Sequence, residues 1–365
     1  MIRKLDWYIL RKFFTTFFFC MLLFTVIAVA VDSSEHTDDF VKSGLTTNQI
    51  IRLYYFGFVP WIWGLLYPLF VFIAVIFFTS KMALRSEVIA IIAGGTSYNR
   101  WFRPYIIGGI IFGLGLWFAN RYGIPKANTI KTAFQINYID NQNRTGSDGY
   151  GCRTCFYKRL DSNTYIGIKN FDTASRSASP FFMEKIRDNK VVFNLRAQQI
   201  SWDTARNNWK LTGVVERTIN GMIESVKEIP SVNMDLPIKP EELRNDEYLK
   251  DKLTTPELVE FIETEEHRGR EGLEAFKVER YRRTATPFTV LLLTIIGAIL
   301  AGRKTRGGSG LHLAIGIALA AVFILSDRFS TVFAVKGDMP ALLAAWIPNL
   351  VFMVIAFIFY RNAPK

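Results

Sequence analysis

Cysteine and histidine are scarce in this chain, with three of each in 365 residues. So low a count excludes a disulfide-stapled fold, since small secreted scaffolds of that kind need several bridges. Cys20 lies inside an apolar run and reads as a small packing residue. Cys152 and Cys155 form a lone C-x-x-C. No second ligand pair lies near them, so a zinc site, which takes about four ligands, is not expected. The pair reads either as a local disulfide outside the cytoplasm or as two plain thiols. His36, His267 and His312 are scattered and build no metal or catalytic cluster. Also missing are a phosphate loop ending in G-K-[ST], an H-E-x-x-H and a G-x-S-x-G. The chain is therefore read as having no catalytic residue, no metal site and no cofactor of its own.

Apolar residues, by contrast, are plentiful. Half of the chain is hydrophobic, 15% is aromatic and 31 residues are Phe, yet the mean hydropathy is only +0.17. Very apolar blocks diluted by a polar block give that combination. A formal net charge of +12 invites a nucleic-acid reading. However, Lys and Arg gather beside the apolar runs, as where spans meet an anionic leaflet, and no nucleic-acid motif is present.

Six runs approach the ~20 residues a membrane span needs: about Phe13–Val31, Ile50–Phe78, Tyr105–Tyr122, Pro287–Ala301, Leu311–Ser326 and Ala341–Tyr360. Ala28-Val29-Ala30 has the form of a signal-peptidase site, but the run before it exceeds the roughly 7–15 residues of a signal core. It is read as an uncleaved first span. Pro60 and Pro68 interrupt the second span, where they are expected to kink it. Gly108, Gly109, Gly113 and Gly115 give the third a thin face for close helix packing. Every predicted inner loop carries Lys or Arg, while the loop after the first span holds Asp32, Glu35, Asp38 and Asp39. Both termini are thus placed in the cytoplasm.

Between the third and fourth spans the texture changes. Thr164–Ile168, Phe181–Ile186, Val191–Leu195 and Trp209–Val215 alternate like strands. Asp188-Asn189, Asn207-Asn208 and Asn220-Gly221 stand between them as turn signals. The fold class is therefore an α-helical membrane protein with six transmembrane helices and a β-jelly-roll domain inserted between helices 3 and 4, outside the cytoplasm. Residues 1–122 hold three spans, 123–252 the β domain, 253–283 a linker helix opened by the capping box Thr254 to Glu257, and 284–365 three more spans.

The stretch from Lys81 to Arg103, between the second and third spans, predicts a short helix of about 84–94. Ser86 is expected to cap it and Glu87 to sit in its first turn. Leu84, Val88, Ile91 and Ile92 recur at helical spacing, and Gly94-Gly95 ends the run. Alone, this is a basic inner loop resting on headgroups. Its functional reading is a coupling helix that docks into a partner.

The chain resembles the YjgP/YjgQ permeases, the LptF/LptG subunits of the bacterial lipopolysaccharide exporter. The most specific parts are Arg85-Ser86-Glu87 with its helix, the Arg303–Gly308 loop, and Pro340-Ala341-Leu342 through Trp346-Ile347-Pro348-Asn349. The opening Leu5-Asp6-Trp7-Tyr8-Ile9 is more similar to LptG. The resemblance implies the permease subunit of an ABC transporter in the bacterial inner membrane, with its β domain in the periplasm. Its implied partners are a second, LptF-like permease, an LptB-like ATPase dimer holding ATP and Mg, an LptC-like bitopic protein and an LptA-like periplasmic bridge. Lipopolysaccharide is the implied cargo. Arg85, Ser86, Glu87, Val88 and Ile91 would then couple to the ATPase. The first and fifth spans would form a lateral gate bearing Phe17, Phe24, Phe323 and Phe329. Some relatives carry a lysine near the outer end of the first span, where this chain reads Val29-Ala30-Val31-Asp32. Recognition of lipid phosphates is therefore expected from Arg52, Arg121, Lys126, Arg280, Arg282 and Arg283, or from the partner subunit. The alternative is a non-transporting mechanotransmission permease, but proteins of that type place their large domain between the first two spans.

Overall fold

A computed structural model describes residues 4–140, 156–169, 171–172, 175–188, 190–204, 206–221, 223–238, 240, 248–267, 272–303 and 308–363. Cys152, Cys155 and most of the Arg303–Gly308 loop lie outside them. The chain divides into two compact units: Met1–Thr145 with Tyr248–Glu260 and Glu274–Lys365, and Gly146–Glu247 with Phe261–Leu273.

The first unit is helical. Its elements are α1 (Lys4–Glu35), α2 (Thr37–Lys42), α3 (Thr47–Leu84), α4 (Glu87–Ala93), α5 (Tyr98–Ile139), α6 (Leu249–Lys252), the start of α7 (Thr255–His267), α8 (Glu274–Ala301), α9 (Gly308–Lys336) and α10 (Ala341–Arg361). Six of these, namely α1, α3, α5, α8, α9 and α10, are long and apolar enough to cross a membrane. Burial separates them. Of the most apolar stretch in α8, 61% is buried, against 11% in α1 and 17% in α9. So α8 is the axis of the bundle, while α1 and α9 leave most of their apolar surface uncovered.

Close packing follows the glycines of α5. A Cβ on Gly108 would meet the Phe13 ring of α1, and one on Gly113 would lie 3.0 Å from the Pro287 carbonyl of α8. The sequence Pro348-Asn349 acquires a role here as well. The Thr289 hydroxyl donates to Asn349 Oδ1 at 2.7 Å, and Asn349 Nδ2 donates to the Ala285 carbonyl at 3.2 Å. That exchange satisfies two buried polar groups and ties α10 to α8.

One boundary differs from expectation. The third span does not end at Tyr122: α5 continues to Ile139, for 42 residues. A π-helical turn at Ala119–Gly123 sits just before Pro125. Widening the turn there removes the need for the hydrogen bond that proline cannot donate, so the helix carries on. At about 1.5 Å per residue it reaches roughly 63 Å, twice the ~30 Å hydrocarbon core. Residues 123–139 therefore belong to this helix and not to the β domain.

Among the described residues the second unit holds one antiparallel sheet of seven strands: β1 (Phe156–Arg159), β2 (Thr164–Ile168), β3 (Ser177–Ala178), β4 (Phe181–Arg187), β5 (Lys190–Asp203), β6 (Asn208–Asn220) and β7 (Ile223–Met234). The order is β1-β2-β4-β5-β6-β7, with β3 paired to β5 beyond the end of β4. The three turn signals fall at strand ends, with Asp188, Asn207 and Gly221 all at positive φ. One face carries the core, with Ile166, Phe181, Ile200, Trp209 and Leu211 nearly inaccessible. Trp209 Nε1 donates to the Ile238 carbonyl at 2.8 Å, so its indole is buried without an unpaired donor.

Candidate functional site

The short helix between the second and third spans exists as α4, but it begins differently from the expected cap. Ser86 has φ 60°, in the left-handed region, and its side chain makes no capping bond. It serves instead as a sharp joint that frees α4 from α3. Gly95, at φ +84°, is the matching joint before α5. Leu84 belongs to α3 and is exposed. The apolar face of α4 is Val88, buried, with Ile91 and Ile92 half-buried against the cluster that contains Ile9, Phe13 and Trp101. Arg85 is exposed beside it.

Glu87 has partners that no spacing rule foretells, because they lie 75 and 79 residues away. Lys12 Nζ and the Tyr8 hydroxyl each donate to Glu87 Oε2 at 3.0 Å, and the Lys12 ammonium also lies 4.2 Å from the centre of the Tyr8 ring. Burial raises the pKa of Glu87, but the hydrogen bonds from Lys12 and Tyr8 outweigh it and hold the carboxyl below its usual range. Six residues before Lys12 in α1, Arg100 Nη2 donates to Asp6 Oδ2 at 2.7 Å, with Asp6 only 2% exposed. The N-terminal end of α1 is thus tied twice, once deep in the protein and once near its surface.

The four gate phenylalanines separate. Phe17 is 2% exposed, its ring 4.4 Å from that of Phe112 and 5.1 Å from that of Tyr67. It therefore packs inside the bundle. Phe24 is half-buried and stacks on Phe70, and Phe323 is half-buried, edge-on to Phe352. Phe329 stands out at 61% exposure, as do Phe18 and Phe19 of α1. Helical spacing alone does not tell the two faces of α1 apart, since phenylalanines occupy both.

The cationic candidates separate as well. Arg283 is buried and fully engaged: it donates to Glu279 Oε1 (3.0 Å) and to the carbonyls of Leu253 (2.7 Å) and Lys250 (2.9 Å). It pins α6 and the start of α7 to α8. Arg282 pairs with Asp327 at 2.8 Å, Arg121 donates to the Tyr122 hydroxyl at 2.9 Å, and Arg280 lies over Tyr281. Arg52 and Lys126 are exposed.

Two cavities occupy the half of the bundle away from α4. One, of ≈ 230 Å³, lies among α3, α8, α9 and α10, with Leu69, Leu293 and Phe323 on its walls and Arg282, Asp327 and Arg328 on its rim. The other, of ≈ 410 Å³, lies at the end of α1 and is lined by Asp32, Glu35, His36, Trp61, Lys131 and Gln135. Lys131 Nζ sits 3.2 Å from the centre of the Trp61 ring. Neither Lys131 nor Arg328 was among the expected cations. Lys131 fell inside the block assigned to the β domain, and the signal that would have found it is the helical recurrence of Ile124, Ala127, Ile130 and Phe134 beyond Pro125.

No curated protein matches the chain significantly. A family model, that of the lipopolysaccharide export system permease LptF/LptG, matches residues 7–362. With six apolar helices, a β-sheet unit inserted between the third and fourth of them, and a match over nearly its whole length, the chain belongs to the LptF/LptG family of lipopolysaccharide export permeases.

Proposed function

We propose that this chain is the transmembrane permease of an ABC exporter, drawing lipopolysaccharide out of the bacterial inner membrane and passing it through its periplasmic β domain to a bridge of similar domains. Family membership over residues 7–362 is the observation that carries this reading. The uneven burial of the bundle supports it. The exposed faces of α1 and α9 are the surfaces left for a second permease and for acyl chains, with Phe18, Phe19 and Phe329 replacing Phe17 among the gate residues. ATP and Mg belong to a partner ATPase docked at α4, and both termini lie in the cytoplasm.

Charge recognition has a candidate that answers the missing lysine of the first span. Lys131 of α5 reaches the cavity at the end of α1, where Val29-Ala30-Val31-Asp32 offers no cation of its own. An ammonium held over an indole face has part of its hydration shell stripped, which suits it to a phosphate. The mechanotransmission alternative receives no support, since the sheet follows the third apolar helix and not the first.

The test is photo-crosslinking in living cells from Val26 in α1, Phe329 in α9 and Trp202 in the β domain. Lipopolysaccharide is expected at all three positions. Capture at none of them overturns the export reading.

A further inference from the structure

We propose that Glu87 joins two bodies at once: Oε2 holds α1 through Lys12 and Tyr8, while Oε1 engages the ATPase, so that motion of α4 is passed directly to the first span. This inference rests on the proposed coupling role of α4. It adds a route and two residues, Lys12 and Tyr8, which act by positioning α1 and touch neither nucleotide nor cargo.

The backbone gives α4 little leverage. Left-handed residues at both ends, Ser86 and Gly95, break its continuity with α3 and α5, so a push on α4 reaches the bundle through side chains. Val88, Ile91 and Ile92 supply apolar contact, which is non-directional and lets surfaces slide. The bonds to Glu87 are directional, and among the described residues they are the polar contacts between α4 and α1. Both fall on Oε2, Oε1 accepts no bond among the described residues, and the side chain is 25% exposed. One oxygen is thus committed to α1 while the carboxylate remains reachable.

Location gives the link a consequence. The first span has the smallest buried share of the six, so it is the helix that the rest of the chain restrains least. Asp6 and Arg100 fasten its first turn to α5 by a pair whose carboxylate is buried. The tie at Lys12 lies about six residues further along and is partly in solvent, where an ion pair is easily made and broken. A fixed point and an adjustable one on the same helix act as pivot and lever.

The experiment uses the full complex, copurified with its ATPase and partner permease, and reads lipid extracted per ATP hydrolysed. Lys12→Gln is expected to leave ATPase copurification at the wild-type level while lowering the yield per ATP by about fivefold, the lower end of coupling between sites. Lys12→Arg is expected to retain most of the yield, and Tyr8→Phe to show a smaller loss. In a Glu87→Gln background, Lys12→Gln should cost little further, because the ion pair is already gone. A purely structural lysine would lower copurification, hydrolysis and extraction together. An unchanged yield in Lys12→Gln, or additive losses in the double variant, overturns the proposal. Failure of the wild-type chain to bind an ATPase would instead overturn the coupling role of α4 itself.

Discussion

Phe13 of α1 fills the space that a side chain at Gly108 of α5 would need: a Cβ built there lies 2.6 Å from Phe13 Cδ1. The ring is fully buried and faces Phe78 and Phe112 as well, at 5.5 and 4.8 Å between centres. It has nowhere to retreat. Gly108→Leu is expected to force α1 off α5 and to destabilise the chain by about 1–3 kcal/mol, the usual cost of overpacking. Thermal unfolding in detergent checks this, with Gly115→Leu as the comparison, because position 115 meets only the Tyr67 hydroxyl at 3.6 Å.

The two charged ties of α1 should differ in strength. Removing one partner of a buried ion pair strands the other and costs about 3–5 kcal/mol, whereas an exposed pair is worth roughly 0–1 kcal/mol. Asp6 is 2% exposed, while the Lys12 and Glu87 side chains are 31% and 25% exposed. Asp6→Ala is therefore expected to lower the melting temperature clearly and Lys12→Gln hardly at all. Equal shifts in the two variants would contradict the assignment of pivot and lever.

Glu87 makes its tie sensitive to acid. Its pKa in the folded chain lies below the ordinary 4.5, so the folded state binds its proton less readily than the unfolded state does. Such a group adds stability that is complete above the unfolded value and is lost as the pH falls through the folded one. Amide exchange across Val88–Ala93 should accordingly show protection that is steady above pH 4.5 and fades below it. In Glu87→Gln that acid-dependent step should be absent.

Arg283 is expected to behave as a structural residue. Arg283→Gln leaves the Lys250 and Leu253 carbonyls without their donor, and each buried unsatisfied group costs about 1–3 kcal/mol. Proteolysis should then cut near α6 while crosslinking of lipopolysaccharide per folded molecule stays at its original level. The opposite is expected of Lys131→Gln, with less lipid captured and unfolding barely changed.

The chain by itself determined its six spans, its inserted sheet and its family. Apolar length, basic loops, period-two strands and Asn or Gly turns are local or additive properties, and each can be read without knowing what packs on it. The short helix after the second span was equally legible, because glycine and a hydrophobic period mark it. Tertiary structure decided the rest. It turned Ser86 from a cap into a joint, buried Phe17 and exposed Phe329, spent Arg283 on two carbonyls, and carried α5 past Pro125 to bring Lys131 to the end of α1. Glu87 found Lys12 and Tyr8 across more than seventy residues of chain. The physical reason is that periodicity fixes which residues share a face of a helix, but only the neighbouring helices fix what that face meets.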